Sequence, residues 1–217
     1  MITEDQIRAM MPGAGRRLDP HLPYIVPALE AGNITTPRRI AAFMAQLAHE
    51  SGQFQWLEEI ADGWAYEGRS DLGNTEPGDG PRYKGHGPIQ VTGRLGHSRC
   101  GIALGIDLIT YPRMICEPQY AMRSAVWFWN DKMGGLSCLA DVDWFVTLTR
   151  FINGGTNGLE DRLVHWRRNR DVLGLPQVDT RDEPTAIVAF QMAHHLDADG
   201  IVGRATMAKI RETVPPS

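Results

Sequence analysis

Cysteine is scarce in this sequence, and nothing in its spacing suggests that the thiols act together. The 217 residues contain Cys100, Cys116 and Cys138, and no two of them form a CxxC pair. An odd number of widely spaced cysteines predicts neither a disulfide framework nor a zinc knuckle. Buried free thiols are therefore the expected state.

Long apolar runs and an excess of positive charge are also missing. No stretch approaches the roughly 20 apolar residues that a membrane-spanning helix needs, so membrane insertion is not expected. The formal net charge of -4 gives no general attraction to nucleic acid, and the arginine clusters at 16–17 and 167–170 are interpreted as solvated helix faces. The N-terminal MITEDQIRAM lacks the apolar core of a secretory signal, which predicts synthesis in the cytoplasm.

Helical periodicity, in contrast, runs through most of the chain. Apolar residues recur at intervals of three and four, which is typical of helices that bury one face. Between 62 and 94, glycine and proline are too frequent for a long helix, so a long loop with a short hairpin is expected there. The pattern predicts a mainly α fold with helices in the segments 3–12, 21–34, 36–50, 117–132, 141–153, 158–175 and 185–210.

Glu50 ends the clearest of these helical patterns. Its helix has a favourable start at Thr36-Pro37, and Glu50 continues a buried face that carries Phe43 and Leu47. A helix C-terminus and apolar neighbours both disfavour a negative charge, so Glu50 is expected to keep its proton near neutral pH. A protonated carboxyl is what a general acid requires. The alternative is that Glu50 faces solvent at a frayed helix end and pairs with a surface base.

Glu59 is the candidate partner of Glu50. On one straight helix the two carboxylates would lie on opposite faces, separated by about 13 Å along the axis. Ser51-Gly52 offers a break, after which the chain can fold back and place the carboxylates on either side of a cleft.

No motif for a metal or a cofactor is complete, so neither is expected. His49-Glu50 would begin an HExxH zinc motif, but Gln53 stands where the second histidine is required. The DADG segment at 197–200 lacks the later ligand positions of an EF-hand.

The glycine-rich segment YKGHGPIQVTG at 83–93 does not have the order of a phosphate-binding loop. Its glycines allow close approach of a ligand, and Gln90 and Thr92 offer polar groups on one side of it. Aromatic residues in or beside this region suit the flat faces of sugar rings, although core packing is the alternative for each and is favoured for the tryptophans. These residues are Trp56, Trp64, Tyr66 and Tyr83.

Four segments occur in one order: AAFMAQLAHESGQFQWLEE, RYKGHGPIQVTGR, FINGG and DRLVHWRRNRDVLGL. In that order and spacing they resemble glycoside hydrolase family 19, the chitinase-like family, and in particular its phage endolysin branch. The resemblance covers 3–175. It implies a bilobal, mainly α, lysozyme-like fold with a deep cleft lined by a small β-hairpin or loop region, and an inverting mechanism.

Carried over by position, the resemblance implies that Glu50 is the general acid and Glu59 the general base, with Glu58 left open as an alternative base. Thr92 falls where the family has a residue that helps to hold the attacking water. His86 departs from the arginine that is frequent at its position. The positions that would bind sugar, organise the acidic pair or line the cleft are Gln90, Asn153, Arg162 and Tyr83.

The C-terminal AFQMAHHLDADGIVGRATMAKI is similar to the second half of the small helical peptidoglycan-binding module. The predicted organisation is a catalytic domain over 1–176, followed by a linker and a partial wall-binding extension over 177–217. A truncated wall-binding element is favoured over a packed extension.

These features together predict a monomeric endolysin that cleaves the β-1,4 glycan of bacterial peptidoglycan and lyses the host. It would be made in the host cytoplasm and reach the wall through a separately encoded pore. A chitinase acting on N-acetylglucosamine polymers shares the catalytic motifs, and a catalytically silent wall-binding protein is the alternative from another class. The carboxylate pair argues against the silent protein, and the wall-module resemblance argues against a dedicated chitinase.

Overall fold

The protein is described by a computed structural model of residues 2–216, the side chain of Met133 excepted. Strand pairing within these residues is limited to two isolated bridges, Glu58 with His86 and His86 with Val91. No helix among them combines the length and apolarity needed to cross a bilayer. The α-helices are α1 (Glu4–Met10), α2 (Leu22–Ala31), α3 (Pro37–Glu50), α4 (Asp79–Arg82), α5 (Gly93–Leu104), α6 (Pro118–Asp131), α7 (Ser137–Asp141), α8 (Phe145–Asn153), α9 (Leu159–Val172), α10 (Glu183–Ala193) and α11 (Arg204–Thr213).

Each predicted helical segment contains an α-helix, and the segment 185–210 is divided by the non-helical stretch between α10 and α11. The sequence pattern predicts neither the short α4 and α7 nor the longer α5. Three glycines, at 93, 96 and 101, hide the helix because glycine lowers helix propensity. Packing explains one of them, since a Cβ at Gly101 would lie 2.8 Å from the carbonyl oxygen of Ile106. Tertiary contacts therefore maintain a helix that local propensity does not favour.

The chain forms two compact units, each with its own apolar core. The first contains the described residues up to Asn33 together with Leu47–Phe128, and the second contains Ile34–Gln46 together with the described residues from Trp129 onward. In the first unit the core cluster consists of Val91, Cys100, Leu104, Leu108 and Ile115. In the second unit aromatic pairs are central, with Phe145 stacked on Trp166 at 4.5 Å and Phe43 edge-on to Trp129 at 5.4 Å.

The expectation that the arginines of 167–170 are solvated is wrong for Arg170. Its side chain is fully buried, its Nη1 pairs with Asp143, and its Nε donates to the carbonyl of Pro176 at 2.7 Å. The guanidinium lies 4.7 Å from the centre of the Trp166 ring. The helix periodicity does not reveal these partners of the buried guanidinium.

The cysteines are free thiols, as the sequence predicts. Cys100 and Cys138 are buried, whereas Cys116 is half-buried and donates to the carbonyl of Leu57. Burial raises the pKa of the Cys100 thiol to about 12, which leaves it protonated and unreactive near neutral pH.

The C-terminal helices pack within the second unit. The carboxylate of Glu183, at the start of α10, accepts the backbone N–H groups of Val146 and Thr147 in the first turn of α8 at 2.8 and 2.6 Å. The Phe190 ring meets the buried Trp144 edge-on at 5.6 Å. These contacts join the two sides of the predicted 176/177 boundary, which itself stays a prediction.

Candidate active site

A left-handed turn follows Glu50, where α3 ends. Three consecutive residues have positive φ: Gly52 at 54°, Gln53 at 56° and Phe54 at 64°. A single left-handed residue is common after a helix, but two without glycine are strained and must be held by their surroundings. The chain therefore breaks where Ser51-Gly52 predicted.

Buried contacts hold this turn. The hydroxyl of Ser51 donates to the carbonyl of Leu47 at 2.7 Å and accepts the N–H of Phe54 at 2.9 Å. The Phe54 ring stacks on His21 with 4.4 Å between ring centres, and burial lowers the pKa of that histidine. Burial therefore favours the neutral form of the stacked imidazole, and these contacts fix the path of the segment after Glu50.

Glu59 lies in a short extended segment that pairs with the glycine-rich segment. The N–H of Glu59 donates to the carbonyl of Gly85, and the N–H of Gly87 donates to the carbonyl of Leu57, both at 2.8 Å. The Glu59 carboxylate accepts two further hydrogen bonds, from the Tyr66 hydroxyl at 2.9 Å and from the N–H of Gly85 at 2.8 Å. Neutral donors thus fix both carboxylate oxygens.

Gly85 allows the glutamate and Gln90 to converge. A Cβ at this position would lie 2.5 Å from Oε1 of Gln90 and 3.2 Å from Oε2 of Glu59. A larger residue would displace one of these polar groups. Glycine is required at this position because two side chains approach it closely, and not because the chain turns there.

Glu58 faces a different environment from Glu59. Successive side chains of an extended segment point to opposite faces, so the two glutamates cannot serve the same pocket. Glu58 pairs with Lys84 at 3.1 Å and with Arg113 at 2.8 Å. Burial alone would raise the pKa of Glu58, but the hydrogen bond from Lys84 and the two positive charges outweigh burial and lower it.

Gln90 and Thr92 belong to a tight turn closed by His86 and Val91. The N–H of His86 donates to Val91 at 3.1 Å, and the reverse bond measures 2.8 Å. Gln90 has a φ of 52° and donates its amide to the carbonyl of Trp56 at 3.3 Å. The Thr92 hydroxyl donates to the carbonyl of Gln90 at 2.9 Å, so these predicted residues form one polar group next to Glu59.

A buried pair of histidines, His86 and His97, supports this turn. Nδ1 of His86 lies 3.1 Å from Nε2 of His97, and Nδ1 of His97 lies 2.9 Å from the carbonyl of Gly93. Burial lowers the pKa of each imidazole to about 4. Because the carbonyl can only accept, the neutral pair has one arrangement, in which His97 donates to Gly93 and His86 donates to His97. The histidine that departs from the family pattern therefore fixes the turn to α5.

Tyr66 and Asn74 are functional candidates whose roles the sequence does not indicate. Tyr66 was interpreted only as an aromatic surface, but its hydroxyl holds Glu59, and this bond raises the pKa of the tyrosine. The fully buried Asn74 donates to the carbonyl of Tyr66 at 2.9 Å and accepts the N–H of Arg94 at 2.8 Å. The residues that contact Tyr66 and Asn74 are not their near neighbours in the sequence, so no local sequence pattern predicts these contacts.

Tyr83 is a buried residue that packs in the interior of the first unit. Its side chain is 1% exposed, and its hydroxyl donates to the carbonyl of Ile109 at 3.0 Å. The guanidinium of Arg94 lies 5.0 Å from its ring centre. Contrary to the expectation of a cleft-lining residue, Tyr83 supports the glycine-rich segment without presenting its ring to a ligand. Trp56 and Trp64 are 45% and 60% exposed, so the core packing favoured for these two from the sequence is wrong.

Arg162 and Asn153 lie in the second unit. Arg162 is 1% exposed and donates to the side chain of Gln46, which in turn donates to Thr149 at 2.8 Å. Gln46 belongs to α3, the helix that ends at Glu50, so Arg162 is suited to organise that helix rather than to touch sugar. Asn153 is the exposed last residue of α8, with its amide 3.5 Å from the carbonyl of Asn157.

Among residues 2–216 there is no cluster of three histidine, cysteine, aspartate or glutamate side chains that could hold a metal ion. The chemistry available at Glu50, Glu59, Gln90 and Thr92 is proton transfer and hydrogen bonding.

Comparison with protein families gives two matches in this chain. Residues 26–144 match the model described as class I chitinase, and residues 184–210 match a model described as a peptidoglycan-binding domain. An endochitinase of Arabidopsis thaliana is 42% identical over 135 residues, which are 61% of this chain and 45% of the relative. An endochitinase of Solanum tuberosum is 29% identical over 191 residues, 70% of this chain and 58% of the relative. The chain thus spans about half the length of the curated relatives it matches.

Solved structures give the same fold. Chitinase C from Streptomyces griseus superposes with a TM-score of 0.69 at 24% identity, covering 82% of this chain and 78% of that one. A class IV chitinase from Zea mays gives a TM-score of 0.56 at 20% identity, covering 83% and 85%. At these identities the likeness establishes the fold alone, and it confirms the predicted mainly α fold class.

Proposed function

This chain belongs to glycoside hydrolase family 19, and we propose that it hydrolyses β-1,4 glycosidic bonds of bacterial peptidoglycan with inversion. One observation carries the proposal. Glu59 is fixed by Tyr66 and Gly85 at the end of a rigid path that begins at Glu50, and the polar turn of Gln90 and Thr92 lies beside it. Two carboxyl groups with different surroundings are what an inverting glycosidase needs.

Glu50 is the proposed general acid. It is half-buried at the C-terminal end of α3. During cleavage it would transfer its proton to the glycosidic oxygen as the bond to the anomeric carbon breaks. Arg162 and Gln46 would act at a distance by holding α3 in place.

Glu59 is the proposed general base. Each carboxylate oxygen has two acceptor sites, and Tyr66 and the N–H of Gly85 occupy one on each oxygen. The remaining sites can accept a proton from a water molecule whose oxygen attacks the anomeric carbon. Thr92 and Gln90 supply the polar groups suited to orienting that water.

The surroundings of Glu58 favour Glu59 as the base. Lys84 and Arg113 bind both oxygens of Glu58 and lower its pKa, which makes it a weaker proton acceptor. Glu58 is better suited to fixing the backbone of the segment that carries Glu59.

Residues 184–210 favour peptidoglycan as the substrate, because their match is to a wall-binding domain. A chitinase is the second candidate, since the relatives from Arabidopsis thaliana and Solanum tuberosum are endochitinases. We further propose that the protein acts in lysis, as a phage or prophage endolysin that is made in the cytoplasm and works on the wall after release. The wall-domain match supports this role.

The test compares purified peptidoglycan and chitin as substrates, with new reducing ends identified by mass spectrometry. Wild type should cleave peptidoglycan, and Glu50→Gln should lose about 10²–10⁴-fold in turnover while keeping its circular dichroism spectrum. Cleavage confined to chitin would establish the chitinase instead. Absence of cleavage of either polymer would favour the silent wall-binding protein, and near-normal turnover by a folded Glu50→Gln variant would remove Glu50 as the acid.

A further inference from the structure

A charged groove lies in the second unit, between the end of α6 and one face of α11. Its volume is about 480 Å³, enough for a short peptide segment. The residues that line it are Asp131, Gly134, Arg204, Ala208 and Arg211.

The α11 side of the groove is built by helical spacing. Arg204, Ala208 and Arg211 follow one another at intervals of four and three, so they share one exposed face. Ala208 lies between the two arginines on this face and lines the groove with a small side chain. Arg211 is anchored at the far end, where it donates to the carbonyl of Gly135 at 3.1 Å and passes alongside Gly134.

Arg204 supplies a guanidinium group that is available to a ligand. Within residues 2–216 its guanidinium has neither a hydrogen bond nor an ion pair, and the residue is exposed. Asp131 contributes one carboxylate to the same lining, so the groove carries a positive excess in a chain whose formal net charge is -4. The lining thus holds two guanidinium groups and one carboxylate, and Arg204 supplies the guanidinium that is available to a ligand.

We propose that this groove binds the carboxylates of the peptide stems of peptidoglycan. A guanidinium pairs with a carboxylate through two parallel hydrogen bonds, and Arg204 can supply such a pair of donors. A polymer of N-acetylglucosamine has no carboxylate. The inference rests on the proposed function and deepens it, because it assigns the choice of peptidoglycan over chitin to the peptide stems.

The experiment titrates wild type, Arg204→Gln and Lys209→Gln with a soluble stem tripeptide, L-alanyl-γ-D-glutamyl-diaminopimelate. Lys209→Gln is the matched control, because it removes one positive charge from the same helix at a residue that pairs with Glu212 and does not line the groove. Binding is followed by calorimetry at low and high salt, and the same peptide with its carboxyls amidated is the ligand control.

We expect wild type and Lys209→Gln to bind the tripeptide equally and Arg204→Gln to bind it about 3–10-fold more weakly. The amidated peptide should lose most of its affinity, and high salt should weaken the binding of wild type. Equal affinities of the two variants, equal binding of the amidated peptide, or no binding by wild type would each overturn the proposal.

Glycan cleavage is measured separately, so the two proposals fail independently. A protein that binds the tripeptide but cleaves no peptidoglycan keeps the groove and removes the proposed hydrolase function. A protein that cleaves peptidoglycan but does not bind the tripeptide removes the groove alone.

Discussion

Replacing Glu183 with glutamine should destabilise the protein through α8, without touching the proposed catalytic residues. Glu183 is 5% exposed, and its two oxygens accept the N–H groups of Thr147 and Val146 at 2.6 and 2.8 Å. Glutamine keeps one acceptor oxygen but turns its NH₂ group toward the other N–H. One donor at the start of α8 therefore loses its partner.

The size of this effect follows from two opposing contributions. A hydrogen bond to a charged group contributes about 1.5–3 kcal/mol, and loss of a helix cap costs about 0.5–2 kcal/mol. Part of this is offset because burial disfavours the charge, as the raised pKa of Glu183 indicates. We expect a loss of about 1–2 kcal/mol in the free energy of unfolding, or about 2–8 °C in Tm for a chain of this size.

Urea and thermal unfolding measure the effect, with Glu160→Gln as the matched control. Glu160 is exposed in the first turn of α9, so the same chemical change there should stay within about 0.5 kcal/mol. If Glu183→Gln is no less stable than Glu160→Gln, the carboxylate does not hold α8.

The pH dependence gives a second check. Burial is the main cause of the raised pKa of Glu183, so the folded state binds the proton more tightly than the unfolded state does. Its contribution to stability is therefore largest below the ordinary value of 4.5 and declines as pH rises through the raised folded value. The stability difference between wild type and Glu183→Gln should narrow toward neutral pH, and a difference that widens would contradict the reasoning.

Three further predictions concern the proposed reaction and the C-terminal helices. Tyr66→Phe removes the hydroxyl that holds Glu59 and should lower kcat on soluble peptidoglycan fragments about 10–100-fold. Glu58→Gln should change this kcat far less, and the reverse order would make Glu58 the base. Inversion at a β-linked sugar requires carboxyls ~6.5–9.5 Å apart and gives the α anomer as the first-formed reducing end. NMR before mutarotation measures this anomer, and an initial β anomer would make Glu59 a nucleophile. Deleting 182–217 should weaken adsorption to cell walls more than it slows cleavage of short soluble glycans, and Glu183→Gln is the control for lost stability alone. Equal wall adsorption by the truncated and full-length proteins would favour a structural extension.

The sequence by itself determined the features that depend on neighbours along the chain. Helix α3 runs from the Thr36-Pro37 start to Glu50, and the chain breaks at Ser51-Gly52, because caps, periodicity and glycine act within a few residues. For the same reason the pattern predicted α10 and α11 as a helical extension, and the resemblance in four ordered segments predicted the fold class.

Only the tertiary structure decided which side chains meet. It separated Glu58 from Glu59, because Glu58 pairs with Lys84 and Arg113 whereas Glu59 is held by Tyr66. It buried Tyr83, which the family resemblance had implied to line the cleft. It also kept α5 helical despite its glycines and joined Glu183 to the first turn of α8. The deciding partners lie seven to more than thirty residues away in the chain, beyond the reach of helix periodicity and capping rules, so their effect on charge and burial is set only when the chain packs.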